Sequence, residues 1–95
     1  MASSVALIGS KTKGKDNSNP SMIIQGSHNV YVNGVAVAYE GSKIAPHKRG
    51  KSYHDGSVSK GSSKVYVNGR PIARINDPIS CGDEIKDGSS NVESG

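Results

Sequence analysis

The chain has 95 residues, of which 33% are hydrophobic and 12 are glycine, and it contains no Trp and no Phe. So small a core stabilises a fold only marginally, and the chain is expected to need a metal ion, a partner or a disulfide as well. Its single cysteine excludes an intrachain disulfide. The net charge of +4 is only mildly basic, and its short lysine clusters indicate solvated loops rather than a dense nucleic-acid-binding stripe.

The N-terminal segment indicates neither a signal peptide nor a membrane span. Its apolar run, residues 5–8, is too short for either role. We therefore expect a single domain over residues 1–95, synthesised in the cytoplasm and without stable membrane insertion.

An internal repeat organises the chain. Residues 26–34 and 61–69 share Gly, Ser, Val, Tyr, Val, Asn and Gly at matching positions. A third copy begins at Gly88 and breaks off. Its missing second half is supplied by residues 6–9, which resemble residues 38–41 and 73–76 of the other two copies. We therefore expect three units, one split between the two ends of the chain, with adjacent termini and approximate threefold symmetry.

Each unit is predicted to be a β-hairpin. The β-branched and aromatic runs at 30–32 and 65–67 favour strands, and the Asn-Gly pair after each run favours a type I′ turn. The returning arms are predicted at 35–39 and 70–75. No window has a sustained helical period, so the expected fold class is all-β with little or no helix.

Long polar loops are expected to follow the arms, at residues 10–25, 42–60 and 77–87, and loops of this length need to be held in place. Three imidazoles and one thiolate form a closed set of ligands that suits one zinc ion, with iron as the alternative. Their spacing fits no compact zinc-finger pattern. The candidate ligands are His28, His47, His54 and Cys81.

Two of these ligands have open alternatives on the residues alone. His28, whose repeat equivalents are Ser63 and Ser90, is equally consistent with an exposed or hydrogen-bonded histidine. Cys81 could instead be a small buried side chain. A hydrolase with Cys81 as its nucleophile and His47 or His54 as its base is a further, weaker hypothesis.

The chain resembles the PAAR-repeat family over about residues 5–93, most strongly over residues 58–92. Residues 70–74, Arg-Pro-Ile-Ala-Arg, stand where the family has Pro-Ala-Ala-Arg, and residues 76–82 match its Gly-Asp-x-x-Ser-Cys-Gly element. Residues 88–92 match its closing Gly-Ser-x-x-Val element. The chain departs from the family at Ser10, where Asp is frequent, and in a first loop without histidine.

The resemblance implies a non-enzymatic protein shaped as a small β-rich cone. Such a cone caps a trimeric β-helical spike, one tip per trimer, in a phage tail or a type VI-like injection machine. Members of the family hold a metal near the apex, usually zinc bound by three His and one Cys. The resemblance therefore implies His28, His47, His54 and Cys81 as the ligands. The implied location is the spike tip of the virion baseplate, with transient contact to the host envelope during piercing.

The hairpins predict where the partner would bind. We expect a base formed by the strand residues and an opposite apex where the metal gathers the loops. A small basic nucleic-acid-binding module remains the alternative function, although the chain has few aromatic residues for base stacking. The predicted spike-binding residues are Val30, Val32, Val65 and Val67.

Overall fold

The protein is built from short antiparallel strands, seen in a computed structural model that describes residues 3–14, 21–49, 52–89 and 92–94. No helix occurs among these residues, which confirms the all-β prediction. The strands are β1 (Ser3–Ser4), β2 (Lys11–Lys13), β3 (Ser21–Met22), β4 (Tyr31–Val32), β5 (Val35–Ala36), β6 (His47–Arg49), β7 (Ser52–His54), β8 (Tyr66–Val67), β9 (Arg70–Pro71), β10 (Glu84–Ile85) and β11 (Glu93–Ser94). They form the pairs β1–β11, β4–β5, β6–β7 and β8–β9 and the three-stranded sheet β10–β2–β3.

The hairpins β4–β5 and β8–β9 turn at Asn-Gly pairs, as the sequence predicts. Asn33 and Gly34 have φ angles of 52° and 79°, and Asn68 and Gly69 have φ angles of 52° and 81°. Positive φ at both central residues defines a type I′ turn, which asparagine and glycine adopt at low cost. The two turns are therefore nearly identical, and they make the two hairpins equivalent units.

The third unit is assembled from the two ends of the chain. Ser3 pairs with Ser94 and Ser4 pairs with Glu93 in an antiparallel register. This pairing confirms that the third repeat is split and that the described ends of the chain lie side by side.

Each returning arm leaves its hairpin early, which the sequence did not predict. The predicted arms 35–39 and 70–75 form strand pairs with their own hairpin partners over β5 and β9, followed by one more bond each, from the Val37 N–H to the Val30 carbonyl (3.1 Å) and from the Ile72 N–H to the Val65 carbonyl (3.0 Å). The chain then forms single antiparallel bridges with the next unit, because the inner edge of each hairpin still has backbone groups to satisfy. These bridges are Leu7 with Val37, Tyr39 with Ile72, and Val5 with Arg74.

Three alanines close a ring of backbone hydrogen bonds between the units. The Ala6 N–H donates to the Ala73 carbonyl (2.9 Å), Ala38 donates to Ala6 (2.9 Å), and Ala73 donates to Ala38 (3.1 Å). All three side chains are 0% exposed. Each unit thus donates one bond and accepts one, and the ring gives the molecule its pseudo-threefold axis. Small side chains are needed here because three segments of the chain converge at one point.

A buried serine begins each unit and repeats the same two bonds. The Ser27 N–H donates to the Val37 carbonyl (2.8 Å), and the Ser27 Oγ accepts from the Val30 N–H (3.0 Å). The hydroxyl thereby satisfies a backbone donor that no strand partner reaches. The same bonds recur for Ser62 with Ile72 and Val65, and for Ser89 with Val5 and Val92.

The glycine before each of these serines is required by close packing. A Cβ at Gly88 would lie 2.5 Å from the Val5 carbonyl oxygen, and one at Gly61 would lie 2.6 Å from that of Ile72. Both distances are shorter than a side chain tolerates, so the Gly-Ser pair in each repeat has a steric cause.

Two apolar clusters occupy the two faces of the ring. Adjacent residues of an extended chain point to opposite sides, so Val5 and Ala6 belong to different clusters. The base cluster consists of Val5, Val37, Val67 and Ile72, with Leu7, Val30 and Val32 packed against it. The apical cluster consists of Ala6, Ile23, Ala38, Ile44, Val58, Ala73, Ile79 and Ile85, with Cys81 packed against it.

The segments predicted as long loops contain more regular structure than expected. Strand β2 pairs with β10 and with β3, and the hairpin β6–β7 forms within the second loop. These segments are polar, yet they bury Thr12 and Ile85, which are directly opposed in the sheet. A single buried residue per short strand leaves too weak a pattern to predict a strand.

Candidate functional site

The base of the molecule carries the four valines predicted to bind a spike. Val65 is exposed, and Val30 and Val32 are half-buried. Val67 is only 5% exposed and packs inside the base cluster. Three of the four predicted residues therefore present surface at the base, and Val67 chiefly supports them from within.

Sequence reasoning missed three exposed residues of the repeated units. Val92 is exposed and is the symmetry equivalent of Val30 and Val65, because its N–H also bonds to the serine that begins its unit. Tyr31 and Tyr66 are each 56% exposed at equivalent hairpin positions. The repeat itself held the signal for Val92, since residues 88–92 align with the other two copies.

At the apex, two predicted metal ligands lie opposite each other in one hairpin. His47 of β6 and His54 of β7 are direct partners in the antiparallel register. The side chains of β6 and β7 lie outside the described part of the structure, so the placement of the histidines is that of their backbone.

Cys81 follows the strand-like bridge of Val58 with Ile79 and packs against the apical cluster. Burial raises the pKa of the Cys81 thiol above its ordinary value. The Asp83 N–H donates to the sulfur and opposes this rise, while the charge of the Asp83 carboxylate and its hydrogen bond with the thiol reinforce it. The free thiol is therefore held in its protonated, weakly nucleophilic form.

The loop that carries the histidines is joined to the loop that carries Cys81. The Ser57 N–H donates to Ser80 Oγ (3.1 Å), and the Ser80 N–H donates to the Ser57 carbonyl (2.9 Å). A Cβ at Gly56 would lie 3.4 Å from the backbone nitrogen of Cys81. Since Gly56 is two residues after His54, the hairpin β6–β7 is anchored directly beside Cys81.

A crevice marks this junction. It has a volume of about 370 Å³ and lies between Pro46 and Asp55, which flank the hairpin, and Ser80 of the cysteine loop. The three ligand candidates in the second and third loops thus belong to one region of the apex.

His28 lies elsewhere. It is exposed and borders a crevice of about 180 Å³ together with Val67, Asn68 and Arg70 of the second hairpin. Asn68 ties this region together, because its Nδ2 donates to Ser27 Oγ (3.1 Å) and to Asn29 Oδ1 (2.9 Å). The structure therefore groups His47, His54 and Cys81 by their backbones and places His28 next to the base cluster.

The donor set at the apex fits a soft divalent metal. Two imidazoles and a thiolate are zinc ligands, and they come from loops distant in sequence, which is the arrangement of a structural site. Among the side chains that the structure describes, no three His, Cys, Asp or Glu side chains lie close enough together to hold a metal ion. A metal centre there would therefore draw on the hairpin histidines.

No helix suited to crossing a membrane is found in the described ranges.

Comparison with known proteins identifies the family. The model of the PAAR motif matches residues 13–87, which is most of the chain and includes both the second repeat and the Cys81 loop. The chain therefore belongs to the PAAR motif family. Proteins with this motif sharpen the spike tips of injection machines.

Curated relatives are toxins that are much longer than the matched region. The chain is 40% identical over 70 residues to the double-stranded DNA deaminase toxin A of Burkholderia cenocepacia (strain H111), covering 74% of this chain and 5% of the toxin. It is 34% identical over 77 residues both to the NAD(P)(+) glycohydrolase toxin Tse6 and to the (p)ppApp synthetase toxin Tas1 of Pseudomonas aeruginosa. Those matches cover 75% of this chain and 18% of each toxin, so the chain spans under a fifth of these relatives.

Proposed function

We propose that the chain is a structural tip that caps and sharpens the trimeric β-helical central spike of a contractile phage tail or a type VI-like injection machine. The observation that carries this proposal is the alanine ring with its three equivalent units. A monomer with pseudo-threefold symmetry can offer similar contacts to three identical subunits, which a monomer without repeats cannot. One tip per trimer is the resulting stoichiometry.

The base is the surface that would meet the spike. The open end of a β-helix exposes unpaired backbone groups and apolar side chains, and these need a cover. Val30, Val65 and Val92 repeat around the ring, and Tyr31 and Tyr66 add two aromatic side chains of the kind enriched at interfaces. This base matches a threefold apolar end in both chemistry and symmetry.

The apex would hold one metal ion, zinc or alternatively iron. His47, His54 and Cys81 are the donors that their loops bring to one region, and His28 stays a predicted ligand. The ion would supply cross-links between loops and hence folding free energy. A cross-linked point resists unfolding when it is pushed through the host envelope, and this role requires no catalytic turnover. In a phage the site of action would be the baseplate spike tip of the virion.

The alternative functions have less support. A nucleophilic Cys81 needs a lowered pKa, whereas burial and the Asp83 carboxylate raise the pKa of this thiol. A nucleic-acid-binding module needs several stacking aromatics in a basic groove, and this chain has four Tyr, no Trp and no Phe.

The proposal is tested by measuring the affinity of the full chain for trimeric spike fragments that end in a β-helix. Val65→Asp and Val92→Asp place a charge in the base and should each weaken binding about tenfold or more. Ile24→Asp is the matched control, since Ile24 is equally apolar and exposed but borders the apical crevice. Unchanged affinity in both base variants, or an equal loss in the control, would contradict the proposal.

A further inference from the structure

The three units of the ring carry different side chains at one repeated position. Strands β5, β9 and β1 are equivalent by their pairing registers, and their first residues are Val35, Arg70 and Ser3. The position is therefore apolar in one unit, cationic in the second and neutral but polar in the third. At this position the side chains break the symmetry that the backbone of the ring maintains.

Arg70 reaches across to the first unit and packs on it. Its guanidinium carbon lies 5.1 Å from the centre of the Tyr39 ring, which is a cation–π contact. A Cβ at Gly41 would lie 3.2 Å from Nη1 of Arg70, so the guanidinium also lies close to the backbone there. The N–H donors of a guanidinium lie in its plane, so a guanidinium that rests on an aromatic face can still bind an anion through its edge.

The crevice that Arg70 borders is framed by hydrogen bonds between the two units. It has a volume of about 180 Å³, and Val67 borders it as well. Asn68, at the turn of the second hairpin, donates from Nδ2 to Ser27 Oγ (3.1 Å) and to Asn29 Oδ1 (2.9 Å) of the first unit. The Ser27 hydroxyl donates to the same Oδ1 atom (3.0 Å) and completes the network. A crevice formed in this way before binding loses little entropy when a ligand enters it.

The charge of Arg70 is available to a ligand. Arg70 makes no ion pair with the residues that the structure describes. Glu40, the acidic residue next to Tyr39, instead uses its carboxylate to accept the Gly61 N–H (3.3 Å). A cation in a crevice attracts anions, and the arginine fork can bind both oxygens of a carboxylate in parallel. The crevice therefore suits one carboxylate group.

The crevice adjoins the base of the molecule. Val67, which borders it, belongs to the base cluster, against which Val32 of the first hairpin also packs. A subunit that covers the base would therefore meet the crevice at the edge of the interface. Charged contacts at such an edge provide specificity and speed association.

We propose that this crevice binds the carboxylate of an acidic side chain from one subunit of the trimeric spike, with Arg70 as the residue that recognises it. The inference rests on the proposed capping function and adds a charged contact to the apolar base. Because Val35 and Ser3 replace Arg70 in the other two units, one spike subunit is bound differently from its two copies.

The test measures by calorimetry how tightly the full chain binds a trimeric spike fragment that ends in a β-helix, at low and at high salt. Arg70→Gln should weaken binding about tenfold at low salt and less at high salt, because salt screens charged contacts at the edge of an interface. Lys64→Gln is the matched control, since it removes the same charge from an exposed residue of the same unit that does not border the crevice. It should change the affinity by less than about twofold.

A second measurement identifies the bound group on the spike. Each Asp and Glu in the terminal turn of the spike fragment is replaced by Asn or Gln, and each replacement is combined with Arg70→Gln in a double-mutant cycle. One of these replacements should weaken binding to the wild-type tip and have no further effect on the Arg70→Gln variant.

Several results would overturn the inference. Unchanged affinity of Arg70→Gln at low salt would do so while leaving the capping function in place. An equal loss in Lys64→Gln would mean that the cations act through their summed field and not through the crevice. A set of cycles in which no acidic residue couples to Arg70 would exclude a carboxylate as the bound group. A wild-type chain that binds no fragment would contradict both the capping function and this inference.

Discussion

The base and the apex of this molecule are held together in different ways. Around the alanine ring, the same backbone and serine hydrogen bonds occur three times, so each unit supports the next. At the apex, the three loops differ in length and composition, and their strands pair differently. The first loop contains the pair β2–β3, the second contains the hairpin β6–β7, and β10 of the third loop pairs with β2. The difference shows that repetition can define a small fold where the units agree, and that a cross-link is needed where they diverge.

The largest expected effect comes from enlarging the ring. Ala38→Leu inserts a branched side chain at a point that is 0% exposed, and overpacking of this kind costs about 1–3 kcal/mol of unfolding free energy or more. Ala6→Leu and Ala73→Leu should cost similar amounts if the three positions are equivalent. Urea unfolding measures the three values, with Val35→Leu on the exposed arm as the control. A cost confined to one of the alanines would break the symmetry.

The next largest effect is expected from the repeated serine. Ser62→Ala removes the acceptor of two backbone donors, the N–H groups of Lys64 and Val65, both at 3.0 Å. An unsatisfied buried donor costs about 1–3 kcal/mol, and the neighbouring exposed Ser63→Ala should cost almost nothing. Thermal and urea unfolding would measure both variants. Equal stability of the two would mean that water replaces the hydroxyl.

The reactivity of Cys81 distinguishes the apex from a catalytic site. Because burial and Asp83 raise the pKa of the thiol, the folded, metal-free protein has less thiolate at neutral pH than the unfolded chain. Iodoacetamide should therefore alkylate it several-fold more slowly when folded, and the rate should rise as the pH rises through the raised pKa. Bound metal should suppress the reaction further. Faster alkylation of the folded protein than of the urea-unfolded protein would favour the nucleophile hypothesis.

The smallest effect is expected at the surface of the loop sheet. Lys13 and Glu84 form an ion pair of 3.3 Å, with side chains 34% and 44% exposed. Exposed pairs of this kind contribute about 0–1 kcal/mol. Lys13→Ala should therefore change the unfolding free energy by less than about 0.5 kcal/mol. The variant and the wild-type protein should also respond alike to added salt. A cost as large as that of Ser62→Ala would mean that the loop sheet, and not the ring, limits stability.

The sequence predicted the base far better than the apex. The repeat and the Asn-Gly pairs act locally, so the two hairpins and the split third unit followed from residues 26–34, 61–69 and 88–92. The crossing of each arm to the next unit did not follow, because it depends on backbone bonds that leave no side-chain pattern. The ring could be inferred only from alanines that look unremarkable in a sequence.

At the apex, the pattern of ligand types was visible but its geometry was not. His47, His54 and Cys81 were predicted from residue chemistry and family resemblance, and their loops adjoin. His28 lies beside the second hairpin, which the sequence did predict, and its role as a ligand stays a prediction.

The central claim is that a monomer with three equivalent units caps a threefold spike. Native mass spectrometry of the full chain mixed with trimeric β-helical spike fragments tests it most directly. The account predicts a complex of one tip with three spike chains, with no further tip bound at excess. A complex with three tips per trimer, or the absence of any complex, would contradict it.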